Sequence, residues 1–262
     1  MKYYITADIH GFYTILLRKL KEKGFFEDKE PHKLVICGDV FDRGHEAKKL
    51  QKFILDLIRK DEVVLIRGNH EDLFMDMLNK WHLESYNQLH HIQNGTADTL
   101  LQLTDLTYDD LDRPVDVYRR AKMVPYVNKI IPKMVDYFET KNYIFVHGWI
   151  PCKVTQAYDA IGNVVQKYHR MKNWRNASKE EWRNARWYNG MEAARQGVIE
   201  ENKTIVCGHI NCSYGHSVIN KKGSEFGKDA DFSPYKSKGV LAIDACTASP
   251  NSKKVNVVVI ED

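Results

Sequence analysis

Seven short runs of β-branched and aromatic residues constrain this chain more than any other feature. They are Lys2 to Ala7, Lys33 to Cys37, Val63 to Arg67, Tyr143 to Val146, Thr204 to Cys207, Val240 to Ile243 and Val255 to Ile260. Most stop abruptly at a polar cluster. The runs are apolar on both parities, which predicts strands covered on both faces, and seven of them predict one or two layered sheets. Helical patterns lie between the early runs, clearest from Glu46 to Lys60, where Leu50, Phe53, Ile54, Leu57 and Ile58 fall at i, i+3, i+4, i+7 and i+8. This strand-helix-strand rhythm predicts an α/β fold with its ligands beyond the carboxyl ends of the strands, where the polar clusters fall. Residues 79–140 and 151–200 break the rhythm. They read as mostly helical insertions that cap the same face, because strands resume after each.

A chain of 262 residues is long enough for a core that needs neither disulfides nor structural metal, and we expect one domain over 1–262. The formal charge of +4 is small for that length, so no stable nucleic-acid partner and no membrane-surface role is expected. The five cysteines, Cys37, Cys152, Cys207, Cys212 and Cys246, form no CxxC pair, and an odd number suits reduced thiols. The opening MKYYITADIHGF has no apolar run long enough for a signal peptide, and no stretch approaches the ~20 apolar residues of a membrane span. The expectation is a soluble cytoplasmic protein.

The strand ends collect Asp8 and His10 in ADIHG, Asp39, Asp42 and Arg43 in GDVFDRG, Asn69 and His70 in GNHE, His147 in VHG and His209 in CGH. Singly, each reads as readily as a helix cap or a loop hydrogen-bonder. Jointly they put carboxylates, imidazoles and a carboxamide on one face of a sheet, a burial of charge that requires a metal. With N and O donors only, the site suits Mn, Fe, Zn, Co or Ni.

In that order, DxHG, GDxxDRG, GNHE, a lone HG and a lone GH resemble the calcineurin-like metallophosphoesterases. DRG after the second Asp narrows the resemblance to the phosphoprotein phosphatase branch, with its bacterial and phage Ser/Thr phosphatases and symmetrical dinucleoside tetraphosphatases. The resemblance runs from Lys2 to the last strand and implies two layered β-sheets flanked by helices, an α/β/β/α arrangement. It assigns Asp8 and His10 to one divalent metal, Asp39 to a bridge, and Asn69, His147 and His209 to a second metal. Asp8 and His10, i and i+2 in an extended segment, are expected to point to one side. Two cations about 3.5–4 Å apart can lower the pKa of a shared water and clamp a phosphoryl group for in-line attack. Arg43 is expected to bind phosphate through its planar fork, with Asn69 and His70 also lining the substrate. His70 is the expected general acid and Asp42 its charge-stabilising partner. A helix is expected after Gly68, its amino end favouring the anion.

The chain departs from the wider superfamily in one place and from the branch in another. Asn211 fills the second position of the wider superfamily's GHxH, as the resemblance to the narrower branch implies, with His216 the rival ligand nearby. The branch's second phosphate-binding Arg follows an apolar-Trp-x-Arg pattern, a slot that holds Asn189 here, with Arg186, Arg183 and Arg175 as substitutes. Asn94, Gly95 and Thr96 resemble a loop that approaches the active face, or form a plain turn. His32, His45, His82, His90, His91 and His169 read as surface or packing residues, and Cys37 and Cys207 as buried small hydrophobes. From Lys167 to Arg195, eight Lys or Arg against three Glu make a solvated helix face or a basic rim. The leading reading is a manganese-type phosphomonoesterase acting on phosphoproteins. Its rival is a dinucleoside polyphosphate hydrolase, with Trp174, Trp182, Trp187 and Tyr188 as candidate base platforms, and a non-catalytic scaffold is a remote third.

Overall fold

A computed structural model describes residues 1–80, 88–158 and 162–262. The first half alternates β1 (Lys2–Thr6), α1 (Tyr13–Glu22), β2 (His32–Cys37), α2 (Ala47–Arg59), β3 (Val63–Ile66) and α3 (Asn69–Lys80). Helices α4 (Gln88–Gln93), α5 (Thr96–Thr104) and α6 (Pro114–Met123) follow. The second half holds β4 (Phe138–Glu139), β5 (Tyr143–Phe145), a hairpin of β6 (Lys153–Tyr158) and β7 (Val164–His169), α7 (Lys179–Ala185), α8 (Gly190–Arg195), β8 (Thr204–Cys207), β9 (Tyr235–Ser237), β10 (Val240–Ala242) and β11 (Val258–Glu261).

Two sheets result, in the orders β11-β1-β2-β3 and β4-β5-β8-β10-β9. Within them β1-β2-β3 and β5-β8-β10 are parallel, so their carboxyl ends gather on one side. The two-sided apolarity of the runs now has its cause. Tyr3, Ile5, Val35, Cys37 and Ile66 meet Phe145, Val206, Leu241 and Ile243 in a core between the sheets. Alternate residues Tyr4, Leu34, Ile36 and Leu65 turn to α1, α2, α3, α5 and α6. On the other sheet Ile144, Ile205, Val240 and Ala242 turn outward to α7 and α8. This is the expected layering of helix, sheet, sheet and helix. The stripe of α2 behaves as its periodicity predicts, with Leu50, Ile54 and Leu57 buried and Phe53 and Ile58 packed beside them.

Two expectations need correction. The segment 151–200 is not mostly helical: it opens with the β6–β7 hairpin, paired from Lys153↔His169 to Tyr158↔Val164. Only Val154, Ala157, Val165 and Tyr168 among its twelve strand residues are even partly covered, so it lacked the apolar signature that marks the sheet strands. The last run pairs with β1 only from Val258. Val255 and Val257 instead plug the helix-side core.

Candidate metal centre

Loops at the carboxyl ends of both sheets enclose a cavity of about 130 Å³ lined by Asp8, His10, Asp39, Arg43, Asn69, His70, Asn94, Trp187, His209, Asp244, Cys246, Thr247 and Ala248. The expected ligand types converge here. His147 stands behind this wall, its Nε2 at 2.7 Å from Asn69 Oδ1 and 3.4 Å from Asp39 Oδ1. Asp39 is central, with the Nε2 atoms of His10 and His70 each 3.9 Å from its Oδ2. Two groups, His10–Asp39–His70 and Asp39–His147–His209, each bring their ligand atoms within 4.8 Å of one another.

The loops that present these groups are strained. Asp8, His10, Asp39, Asp42, Arg43 and His209 all adopt left-handed backbone, with φ of 51, 49, 52, 76, 63 and 66°. Asp and His are among the few non-glycine residues that enter this region readily, and Arg is not. The parity argument for Asp8 and His10 therefore fails, since neither is extended. They reach the cavity because the first loop is bonded to the second, Asp8 N–H donating to Gly38 O (3.2 Å) and His10 N–H to Asp39 O (3.0 Å).

Two imidazoles are fixed for ligation. Each Nδ1 lies against a backbone carbonyl, which can only accept: His10 donates to Phe41 O (3.0 Å) and His147 to Cys37 O (2.9 Å). Each neutral ring then offers a bare Nε2 to the carboxylate of Asp39, and His147 also to the carboxamide oxygen of Asn69. Acceptors facing acceptors in a buried site are what a cation satisfies. The titration behaviour agrees. Burial, then Asp244 and Asp39, pushes Asp8 well up. Burial and Asp39 push Asp244 up to about 6. Burial also lowers His10 and His147, and takes His209 down to about 3 with His147 assisting. The cluster lacks positive charge, and its N and O donors fit divalent metal.

His70 opens α3 as expected. Burial tends to lower its pKa, but Asp39 and Asp42 outweigh this and raise it. Its Nδ1 is 2.7 Å from Asp42 Oδ2, which also accepts from Thr96 Oγ1 (3.0 Å). Arg43 Nη2 donates to His70 Nε2 (3.2 Å). The loop at Asn94–Thr96 does approach the active face: a Cβ on Gly95 would sit 2.3 Å from Arg43 N. At the amino end of α3, His70 N–H already donates to Asp39 Oδ1 (3.0 Å), so this end holds a protein carboxylate.

The second-arginine candidates are engaged elsewhere. Arg186 is buried in ion pairs with Asp72 (2.6 Å) and Asp136. Arg175 binds Glu139 and Glu200, Arg183 lies 3.8 Å from Asp76, and Asn189 Oδ1 caps α8. None of the four lines the cavity. The basic stretch is thus largely ion-paired, Arg195 with Glu192 and Arg170 with Glu200 and Glu201 included. Nor does His216, which contacts Ser233 O, line the cavity. His91 is buried, while His45, His90 and His169 are exposed and His32 is half-buried; His82 lies outside the described residues. Cys37 and Cys207 are fully buried, as expected. Of the aromatic candidates, Trp174 and Trp182 are core residues, whereas Trp187 is 47% exposed at the cavity rim, edge-on to His209.

Sequence reasoning missed Glu71, Asp244 and Thr247. Glu71 is fully buried and accepts three N–H groups, from Gly68, Asp39 and Val40 (2.7–3.1 Å). It locks the second loop to the third, and burial with Asp39 nearby raises its pKa to about 7. Its signal was present, as the last letter of GNHE. Asp244 was visible only as the polar stop after a strand, and Thr247 carried no signal.

Comparison with known proteins bears on this geometry. The model of the calcineurin-like phosphoesterases matches residues 1–230. Serine/threonine-protein phosphatase 1 of Salmonella typhimurium is 34% identical over 73 residues, 28% of this chain and 31% of that protein. A symmetrical bis(5'-nucleosyl)-tetraphosphatase of Buchnera aphidicola is 41% identical over 71 residues, 27% and 24% of the two chains. These matches span less than a third of either relative. Among solved structures, a putative diadenosine tetraphosphatase aligns over 100% of this chain and 94% of its own at 12% identity, with a TM-score of 0.45. On the family match, which covers most of its length, this chain belongs to the calcineurin-like phosphoesterase family.

Proposed function

We propose that the chain is a hydrolase of phosphate esters that holds two divalent metal ions, with Asp8 and His10 on one, Asp39 bridging, and Asn69, His147 and His209 on the other. The carrying observation is the pair of neutral imidazoles, His10 and His147, whose proton-free Nε2 atoms face opposite oxygens of Asp39. When bound, the two metals would supply Lewis acidity, activating a water and neutralising the phosphoryl charge. The side chains do the rest. Arg43 binds phosphate oxygens, and in turning to them it leaves His70 Nε2. That nitrogen is then free to carry a proton to the leaving oxygen, while Asp42, itself held by Thr96, stabilises the imidazolium. Asn69 and His70 position the substrate from the amino end of α3.

Two substrate classes are supported alike. Similarity to a serine/threonine phosphatase favours phosphoserine or phosphothreonine esters, and similarity to a symmetrical tetraphosphatase favours dinucleoside polyphosphates. We favour the phosphomonoester, because the cavity of about 130 Å³ presents phosphate-binding and metal-ligating side chains, and of the four aromatic candidates for a base platform only Trp187 lines it. Manganese heads the expected metals, with iron, zinc, cobalt and nickel also suited to the donors. We read the two sheets as one domain and place it in the cytoplasm. The latter is supported by the free cysteines and by the absence, among the described residues, of a helix long and apolar enough to cross a membrane. The test is elemental analysis of metal-loaded protein with a panel of phosphopeptides, mononucleotides and diadenosine tetraphosphate. Two metals per chain with turnover of phosphopeptide is expected; turnover of the tetraphosphate alone would move the assignment to that class, and turnover of none would return it to a scaffold.

A further inference from the structure

With Arg186, Arg183, Arg175 and Asn189 all engaged elsewhere, Arg43 is, among the described residues, the one cationic side chain of Lys or Arg type on the cavity wall. A phosphoryl group gripped there has other oxygens to present to the rest of the lining, which includes the loop after β10. That loop is rigidly built. Asp244 Oδ1 accepts Cys246 N–H (2.6 Å), Asp244 O accepts Cys212 N–H (2.9 Å), Cys246 O accepts Ser249 N–H (2.8 Å), and Ser252 Oγ donates to Ala245 O. Cys246 is held at φ 52°, in the left-handed region. The next residue, Thr247, lines the cavity and is 2% exposed, and its hydroxyl has no hydrogen-bond partner among the described residues. Buried hydroxyls are almost always bonded, and an unbonded one in a tightly bonded loop beside a polar cavity has a bond to give to what enters that cavity, water or ligand. Thr140, also unbonded, does not line the cavity, nor does Thr6 on its strand.

We infer that the Thr247 hydroxyl is a phosphate-binding group, donating to a phosphoryl oxygen of the bound substrate in the cavity that Arg43 also lines. It takes a place that a second arginine would otherwise fill. The inference rests on the phosphoesterase reading, and inorganic phosphate is the probe that separates the two. Metal-loaded wild type, Thr247→Val and Thr247→Ser are titrated with phosphate by calorimetry, their metal content measured, and their unfolding followed in phosphate-free buffer. Valine keeps the shape and removes the hydroxyl. It should weaken phosphate binding about 10- to 100-fold, the usual weight of a hydrogen bond to a charged group, with metal content unchanged. Its Tm should be equal to or above wild type, because no protein hydrogen bond is lost. Serine should bind within a few-fold of wild type. Equal binding by the valine variant overturns the inference. So does a loss of metal, which would make Thr247 part of the metal site, and so does a lower Tm, which would make the hydroxyl a structural group. Failure of the wild type itself to bind phosphate would overturn the phosphoesterase reading and this inference together.

Discussion

The two halves of the molecule build the same centre in different ways. Three strand-end loops of the first half supply Asp8, His10, Asp39, Asp42, Arg43, Asn69 and His70 within seventy residues, and five of these seven carry left-handed backbone. Such conformations are unfavourable by on the order of 1–3 kcal/mol each, and they persist where surrounding structure over-determines them. Here the determinants are the loop-to-loop bonds and the carboxylate of Glu71. The second half supplies single imidazoles, His147 and His209, from strands far apart in sequence. What it adds is clearance: a Cβ on Gly208 would lie 2.1 Å from Asp8 Oδ2, and one on Gly38, in the first half, 2.4 Å from His147 Nδ1. Each half leaves an opening for a side chain of the other. The first half is a strained, self-braced cradle, and the second completes it through close approach.

The largest effect should come from the point where the halves meet. Asp39→Asn should abolish turnover and lower bound metal, since the amide cannot screen two cations; two metals per chain with near-normal turnover would refute the bridge. Chelation should silence the wild type, and manganese should restore it.

A first-half change that spares the metals comes next. His70→Ala should lose about 10²–10⁴-fold on phosphoserine peptides, whose alkoxide needs a proton, and much less on nitrophenyl phosphate. Metal content is measured alongside. Equal losses on the two substrates would mean that His70 orients the site and does not donate the proton.

Gly208→Ala tests the clearance directly. Gly208 has no positive φ, so its obstacles are contacts, first with Asp8 Oδ2 (2.1 Å) and then with Ala7 Cβ (2.7 Å). Displacing that carboxylate should lower kcat/KM by about 10²-fold and weaken metal binding. By contrast, Gly197→Ala has free space around it but a φ of 87°, and should cost about 1 kcal/mol of stability with kcat/KM unchanged. If both variants lose activity alike, the clearance argument is wrong.

The smallest effect separates the halves by pH. Arg175, and then Lys203, outweigh desolvation and hold Glu139 down at about 2, against an ordinary 4.5. A depressed carboxyl contributes stability above its unfolded value, lost as pH falls from about 4.5 toward 2. Glu139→Gln should therefore remove a contribution of at most about 1 kcal/mol, since the pair is partly exposed, and flatten the acid limb of the Tm profile. A profile unchanged below pH 4.5 would show that this cluster adds nothing.

Much of this was legible beforehand because it is local. Strands, the α2 stripe and the start of α3 follow from hydrophobic period and glycine position, and Asp39, Asn69 and His70 sit in short dense motifs. The β6–β7 hairpin was not legible, because it is covered at only four of its twelve strand residues and has no apolar period to read. Asp8 and His10 do line the cavity, but not through the extended geometry expected of them, which the loop does not have.

The sequence by itself determined which residue types stand at the strand ends and that the strands are buried on both faces, because those are properties of neighbours along the chain. Tertiary structure alone decided that His147 and His209 face Asp39, that Arg186 is drawn away to Asp72 and Asp136, and that Asp244 and Thr247 join the wall. Those placements depend on parallel pairing among β5, β8 and β10 and on the packing of one sheet against the other, contacts between residues a hundred or more positions apart in several cases, for which a single His or Thr leaves no local trace.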